Sequence, residues 1–527
     1  MGSSKVQGNQ NSLRGRSQGS PWWSLVAVAF GVIMVGLDAT VVSIANPFIA
    51  RDLHASLSDL QWVTNGYLLV TAVLLIPAGK LGDRLGRRRI YLIGMVGFAL
   101  SSAGVGLSGS IGLVIMFRAF QGAFGAFIMP NTLAILRKTF PLQKLNTAIG
   151  IWGAASAVAI AGGPIVGGLL VQDVSWQSVF YLNIPVSIVG VLISALVLRE
   201  SRERDVESPD YPGIVTLAAS LFLLVFGLIK TQTWGWTDPK TLACFGGAII
   251  AAALFVFVEG RVSSPLVPLR IFASKALSMS TLSVILNFFA FYGVIFFVSL
   301  YLQEVHGYTP IQAGVRLLPL TAMFVVSAPL GALLNQRFGP RLPVALGMIF
   351  SAIGLWILTS LEVTSGYLLL AVPFVILGLG VGFVLTATSD AIVGNAPSQD
   401  AGVAGGVQST ALQIGGVLGT SVLGSVLLGR VGSTLVTKLT AAGVPSALAP
   451  KLLAAKPLIA EGASPRIAHL PALLQRAITN GSHAAFLSGL HVAMVVGIGV
   501  SLIGAITGFA IGAKRPSEQS EVGSLTD

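Results

Sequence analysis

Long apolar runs alternate with short polar segments along most of the chain. Each run is about 18 residues or longer, the length at which a helix crosses the hydrocarbon layer of a bilayer. We predict a transmembrane helix for each of fourteen runs: 24–50, 60–79, 90–108, 111–136, 146–171, 179–198, 213–230, 241–258, 279–302, 312–334, 342–361, 366–389, 401–429 and 484–512. The pattern therefore predicts an all-α integral membrane protein.

Three segments outside these runs need an interpretation of their own. The polar tails 1–20 and 514–527 are predicted to be disordered and cytoplasmic. The first apolar run is too long for a cleavable signal, and no small-x-small site closes it. The segment 430–483 is rich in Ala, Leu and Pro, and we predict that it is extracellular and contains short amphipathic helices.

Basic residues are distributed unequally between the two sides of the predicted membrane domain. Of 32 lysines and arginines, 21 fall in segments on one side and three in short loops on the other. Because basic loops are retained in the cytoplasm, we predict both termini inside and a multi-pass protein of the plasma (inner) membrane. Topology thus accounts for the net charge of +12, and nucleic acid is not predicted as a partner.

The composition narrows the possible functions further. Only 10% of the residues are charged, against about a quarter in soluble domains. The single cysteine, Cys244, excludes a disulfide framework and a thiolate metal cluster, and five scattered histidines give no reason to expect a metal. Neither a zinc-ligand spacing nor a P-loop occurs. We therefore expect neither an enzyme nor an ATP-driven pump, and no cofactor.

The chain contains two weakly similar halves. Residues 336–341 repeat the pattern of 83–88, and the glycines of 415–419 echo those of 162–168. These echoes pair the second helix with the tenth and the fifth with the thirteenth, which requires six helices in each half and an inserted pair between them. Parallel halves with a site between them are typical of secondary transporters. The predicted domains are a six-helix bundle at 21–200, a linker with the inserted pair at 201–275, and a second bundle at 276–513.

Several motifs carry a resemblance to a known family. The sequence resembles the major facilitator superfamily, and within it the fourteen-helix drug:proton antiporters, over about residues 24–512. The resembling segments are the loop Gly79 to Arg89, the helix-4 motif Arg118 to Gly122, the helix-5 motif Ala159 to Gly168, the helix-1 motif Leu37 to Pro47, and Ser175 to Pro185 before helix 6. The resemblance implies two six-helix bundles, the inserted pair, and drug export driven by a proton gradient.

Two charged residues lie within predicted helices of the first half. Asp38 and Arg118 are expensive to bury, and such residues usually line a pathway or relay protons. Burial disfavours a carboxylate while a nearby arginine favours it, so protonation and pairing would compete at Asp38. We predict that Asp38, Arg118 and Gln121 form a proton-coupling site in a water-filled central cavity. The alternatives are an aspartate that orients helix 1 and an arginine that ties down backbone carbonyls.

The loop after the second helix combines glycines, one acid and a run of arginines. In the resembled family this loop latches onto helix 13 in the outward-open state, and helix 13 begins here near Asp400. We predict a conformational latch formed by Gly79, Asp83, Arg84, Gly86, Arg87 and Arg88. A loop that serves only to set topology would explain the arginines but not the embedded acid and glycines.

Glycines surround a proline in the fifth predicted helix. Pro164 removes a backbone donor and bends the helix, and the glycines let a neighbouring helix approach closely. The resemblance makes Gly163, Pro164, Gly167 and Gly168 the antiporter motif, which is absent from uptake members of the family. Ordinary small-residue packing is compatible with the same pattern.

These features together predict a proton-coupled exporter of an amphipathic drug or antibiotic that works by alternating access. Its expected partners are the substrate, protons and the lipid bilayer, and we expect a monomer. Two alternatives remain open at this level. One is a proton-coupled uptake permease on the same fold, and the other is a membrane sensor that transports nothing.

Overall fold

A computed structural model describes residues 20–202, 210–396, 400–467 and 470–512. In this part of the chain, fourteen helices are long and apolar enough to cross a membrane, and there is no strand. In chain order they are α1 Pro21–Leu53, α2 Leu57–Leu85, α3 Arg87–Gly106, α4 Ile111–Thr139, α5 Leu142–Asp173, α6 Ser178–Val197, α7 Tyr211–Trp234, α8 Pro239–Glu259, α9 Lys275–Leu300, α10 Pro310–Phe338, α11 Arg341–Leu358, α12 Leu368–Gly394, α13 Ala401–Ala441 and α14 Ala472–Ala510. The predicted fold class is confirmed.

Local sequence signals explain where several of these helices begin and end. A capping box of Ser56 and Asp59 starts α2, and a second one of Thr309 and Gln312 starts α10. Gly86 ends α2 with φ 114°, a conformation that favours glycine. Each of these capping residues lies next to an apolar run, so the sequence near each loop determines where the adjoining helix begins or ends.

The helices extend beyond the apolar runs, and this corrects one predicted boundary. Helix α13 continues to Ala441 and α14 begins at Ala472, so the connection between them is shorter than 430–483. Buried leucines and valines at helical spacing hold the extension in place even though polar residues interrupt the run: Leu427, Val431, Leu435 and Leu439. Within the connection lie two short helices, Ala449–Ala455 and Lys456–Ala460. The predicted tails fall outside the described residues, except for Ser20.

The fourteen helices form two bundles with a peripheral pair. Helices α1–α6 make the N-terminal bundle, α9–α14 make the C-terminal bundle, and the inserted pair α7–α8 packs through α7 on α2 and α13. The bundles meet where α1 contacts α9, α2 contacts α13, and α5 contacts α10. We name the two faces outer and inner after the predicted orientation, so that Arg51 lies at the outer face and the loop 79–89 at the inner face.

Polar contacts join the two bundles in their outer halves. Arg51 forms an ion pair with Glu304 at 2.5 Å. Deeper in the membrane, the hydroxyl of Ser299 donates to the carbonyl of Ser43 at 2.7 Å. The side chain of Gln61 donates to the carbonyl of Thr420, also at 2.7 Å. These contacts hold the outer ends of α1 and α2 against α9 and α13.

Candidate functional site

Asp38 and Arg118 form a buried ion pair inside the N-terminal bundle. Asp38 lies on α1 and Arg118 on α4, and Arg118 Nη1 is 2.5 Å from Asp38 Oδ2. The two residues are 1% and 2% exposed. A pair so buried is stable only when its remaining polar atoms also find partners. Side-chain amides and backbone carbonyls around the pair supply these partners.

Two side-chain amides complete the shell around the carboxylate. Asp38 Oδ1 accepts hydrogen bonds from Gln121 Nε2 at 3.2 Å and Asn183 Nδ2 at 3.3 Å. The same two amides also donate to the hydroxyl of Ser102, at 2.6 and 3.1 Å. Helices α1, α3, α4 and α6 therefore meet around this one carboxylate, which accepts hydrogen bonds from three donors.

The guanidinium of Arg118 is held by carbonyl oxygens and aromatic rings as well as by Asp38. Its Nε donates to the carbonyl of Val63 at 3.1 Å, and its Nη1 donates to Gln121 Oε1 at 2.8 Å. The ring of Tyr67 lies 4.4 Å from its central carbon, within the range of a cation–π interaction. Arg118 therefore ties α4 to α2 as well as to α1.

The structure brings the three predicted site residues together. Asp38, Arg118 and Gln121 are buried inside the N-terminal bundle in this conformation, because helices α2, α3 and α6 close around them. Their role in proton coupling within a water-filled central cavity stays a prediction. Tyr67, whose ring lies on the Arg118 guanidinium, is also close enough to Tyr292 on α9 for an electrostatic interaction.

In the loop 79–89 at the inner face, the acids form polar contacts and Gly86 allows the chain to pass close to one of them. Asp83 pairs with Arg87 at 2.6 Å, so its described ion pair stays within the loop. The N-terminus of α3 is capped by another acid, Glu200, which accepts from the backbone amides of Arg88 and Arg89 at 3.2 and 3.1 Å. A Cβ on Gly86 would collide with that same carboxylate. The loop is therefore fastened to the end of the N-terminal bundle.

The remaining residues of the predicted latch lie around this core. Gly79 faces Pro130 of α4, Arg84 is exposed, and the guanidinium of Arg88 donates to the carbonyl of Ala195 at 2.7 Å. The contact of Asp400, at the start of α13, is with Arg270 at 3.1 Å. The latch between this loop and helix 13 stays a prediction about another conformation.

The glycines of α5 form two close interfaces. On one side a Cβ on Gly163 would meet Leu37 O at 3.1 Å, and one on Gly167 would meet Val41 on α1. On the other side Gly168 would meet Ile311 Cα of α10 at 2.8 Å. Pro164 contributes to the second interface through its carbonyl oxygen, which lies against Gly314 of α10. The motif therefore brings α5 close to α1 within its own bundle and to α10 across the two bundles.

Aromatic rings fill the corresponding region of the C-terminal bundle. Six of them on α9 are at most 8% exposed, which places them in the protein interior: Phe288, Phe289, Phe291, Tyr292, Phe296 and Phe297. The ring of Phe291 is 5.7 Å from that of Phe324 on α10. Gly416 on α13 leaves room for the ring of Tyr292. This cluster supplies apolar surface rather than charge.

A cavity of about 370 Å³ opens at the outer face between the two bundles. The outer end of α1, Glu304 and the short helix Lys456–Ala460 with Glu461 line it. Burial raises the pKa of the Glu461 carboxyl to about 8, and the nearby carboxylate of Glu304 adds to this effect. Glu461 is therefore largely protonated at neutral pH, and it adds no full negative charge to the cavity beside Glu304.

Comparison with known proteins places this geometry in a family. The family model of the Major Facilitator Superfamily matches residues 28–420. The chain belongs to this superfamily. The tetracenomycin C resistance and export protein of Streptomyces glaucescens is 48% identical over 91% of this chain and 88% of its own. The multidrug resistance protein Stp of Mycobacterium tuberculosis is 34% identical over 86% and 84%.

A solved structure shares the fold. A bacterial homolog of the human lysosomal transporter Spinster, in an inward-facing and unoccupied conformation, superimposes with a TM-score of 0.63. The alignment covers 95% of this chain and all of that one at 19% identity. This superfamily member is therefore a multi-pass membrane protein built on the major-facilitator fold.

Several site residues carried no signal of their own in the sequence. Asn183, Ser102 and Tyr67 are uncharged, and uncharged polar or aromatic residues are common in membrane helices. Asn183 stands in a motif that marked the family without indicating a contact to Asp38. Glu200 is the last residue of the predicted first bundle, where a solvated acid is ordinary. Only the fold brings these side chains to the ion pair and to the inner loop.

Proposed function

We propose that this chain exports an amphipathic drug or antibiotic in exchange for protons. Two findings support the proposal. Relatives that match most of the chain are named for antibiotic resistance and export or for multidrug resistance. The N-terminal bundle also holds the buried pair of Asp38 and Arg118. In such a pair the acid can either bind a proton or form the ion pair with the arginine.

The pair acts as the proton switch. With Asp38 ionised, Arg118 is neutralised and α1 is tied to α4 and α6. Protonation of Asp38 removes the charge that holds Arg118 and weakens the hydrogen bonds from Gln121 and Asn183. The site is sealed in this conformation, so proton access requires α1, α2 or α6 to move. Binding of a proton to Asp38 therefore requires a conformational change.

Alternating access follows from the contacts between the bundles. The ion pair of Arg51 with Glu304 and the close packing of α5 on α10 hold the outer sides of the two bundles together in this conformation. Opening outward would break these contacts and bring the inner loop to the start of α13 as a latch. In this scheme both termini lie in the cytoplasm, the protein works as a monomer, and the membrane gradient is the only energy source.

Accumulation of drug in a susceptible bacterium tests the function. Cells expressing the chain should accumulate less of an amphipathic antibiotic, and a protonophore should restore accumulation to the level of control cells. Higher accumulation would indicate an uptake permease, and unchanged accumulation across a broad panel would favour a sensor. Either outcome would contradict export.

A further inference from the structure

The inserted helix pair carries two acids at its inner end. Asp210 is the N-cap residue of α7, and Glu259 is the last residue of α8. Their exposed fractions are 3% and 4%, so both carboxylates are buried. Neither takes part in the ion pair of the N-terminal bundle, and the motifs that indicate transport do not include them.

Each acid uses one oxygen for a backbone contact. Asp210 Oδ1 accepts from the amide of Gly213 at 2.8 Å, which caps the helix. Glu259 Oε2 accepts from the amide of Val267 at 3.0 Å, which holds the segment after α8. These contacts fix the direction in which the second oxygen of each carboxylate points.

The two second oxygens converge without a partner. Among the residues that the structure describes, neither Asp210 Oδ2 nor Glu259 Oε1 has a hydrogen-bond partner. Both lie against the position that a Cβ on Gly213 would occupy, with Glu259 Oε1 2.7 Å from it. Two buried carboxylates that face each other cannot both stay ionised at low cost, and the common solution is one shared proton.

The charges around the pair fit one proton better than a metal ion. Lys80 of α2 is close enough to act electrostatically on Glu259, and its Nζ donates to the carbonyl of Pro265 at 2.6 Å. Two carboxylates, one ammonium and one proton sum to zero. The described residues contain no group of three or more metal-ligating side chains, and a cation would need more oxygen ligands than these two.

The other charged groups nearby are engaged elsewhere. The guanidinium of Arg261, just after Glu259, lies 3.7 Å from the ring centre of Phe257. On the adjoining loop Asp83 pairs with Arg87. Among the described groups, Lys80 is therefore the cation that interacts electrostatically with these acids.

We propose that Asp210 and Glu259 share one proton, which makes the inner end of the inserted pair a proton-binding site separate from Asp38. Loss of this proton leaves an excess negative charge at the two acids. Because Lys80 belongs to the loop 79–89, this charge attracts the loop. The site would bind its proton whether or not the chain exports a drug.

Infrared spectroscopy of the full chain in lipid nanodiscs, without any drug, tests this site. The wild type should show the carbonyl band of a protonated carboxylic acid that disappears as the pH is raised. Asp210→Asn and Glu259→Gln should each lose part of that band, because the remaining carboxylate then accepts from an amide, while the contribution of protonated Glu461 stays. Asp238→Asn is the matched control, since Asp238 caps α8 as Asp210 caps α7.

The melting temperature of the same samples gives a second readout. A shared proton makes ionisation costly in the folded state, so the Tm of the wild type should fall as the pH rises through neutrality. Both variants should fall less steeply, while Asp238→Asn should follow the wild type. An unchanged band and slope in Asp210→Asn and Glu259→Gln would overturn the proposal, as would a wild type without a titrating acid band in this pH range.

Discussion

The two bundles join corresponding helices in different ways. In the N-terminal bundle, α1 and α4 are linked by the charged pair of Asp38 and Arg118 with its shell of amides. In the C-terminal bundle, the hydrogen bond that the described residues form between α9 and α12 is neutral, with Asn287 donating to the carbonyl of Val381 at 3.4 Å. Around that contact lie aromatic rings instead of charges.

This difference separates two tasks that one transporter must perform. A buried charge pair costs desolvation energy and responds to protons, whereas an aromatic cluster responds to neither pH nor voltage. We infer that the N-terminal bundle handles the proton and that the C-terminal bundle provides rigid apolar surface. The following substitutions test this difference between the two bundles.

The largest effect is expected for Asp38→Asn. It leaves Arg118 charged and buried, so the free energy of unfolding should fall by about 3–5 kcal/mol, and drug transport should be lost. Adding Arg118→Gln should restore much of the stability without restoring transport. Thermal unfolding and transport assays on both variants separate the two effects. Transport by the stabilised double variant would contradict a coupling role for the pair.

A smaller loss is expected for Gly168→Ala, at the junction of the two bundles. The new methyl would meet the backbone of α10, with Pro310 O at 2.7 Å, and side chains cannot relieve such a clash. Overpacking of this kind costs about 1–3 kcal/mol, and it should also slow transport. Gly162→Ala is the control, since its nearest contact is Leu37 at 4.0 Å. Equal effects of the two changes would contradict the close contact between α5 and α10.

Phe291→Leu probes the aromatic side of the comparison. The ring is buried, and a swap of apolar side chains of similar volume usually costs less than about 1.5 kcal/mol. We expect a small decrease in melting temperature and an unchanged ratio of protons to drug. A changed ratio, measured in liposomes, would mean that proton coupling extends into the C-terminal bundle.

The smallest effect on stability is expected for Asp83→Asn. Its pair with Arg87 is partly exposed, and such pairs contribute about 0.2–1 kcal/mol. Turnover should nevertheless slow while substrate affinity stays the same, because the predicted latch acts on conformation. Arg89→Gln removes a charge from the same loop without touching the pair, and it serves as the control. A large loss of substrate binding in Asp83→Asn would contradict the latch.

The sequence predicted most of the fold and about half of the site, for physical reasons. Long apolar runs mark membrane helices because the bilayer admits little else. They locate the membrane-embedded part of a helix rather than its ends, so the extension of α13 to Ala441 was missed. Asp38 and Arg118 stood out because charges are rare in such runs. Asn183 and Tyr67 did not, since only tertiary packing brings them to the pair.

The acids of the inserted pair illustrate the same limit. Asp210 lies shortly before the apolar run 213–230 and Glu259 directly after the run 241–258, positions where solvated acids are ordinary. Their convergence depends on how α7 packs against α8. A pattern along one dimension does not contain that information.

Proton flux in liposomes tests the central claim most directly. The purified chain is reconstituted with a pH-sensitive dye inside, and an amphipathic antibiotic is added in the presence of a proton gradient. The account predicts drug-dependent proton movement opposite to the drug in the wild type, and none in Asp38→Asn or in its stabilised double variant with Arg118→Gln. Drug-dependent proton movement that persists in Asp38→Asn would contradict the account.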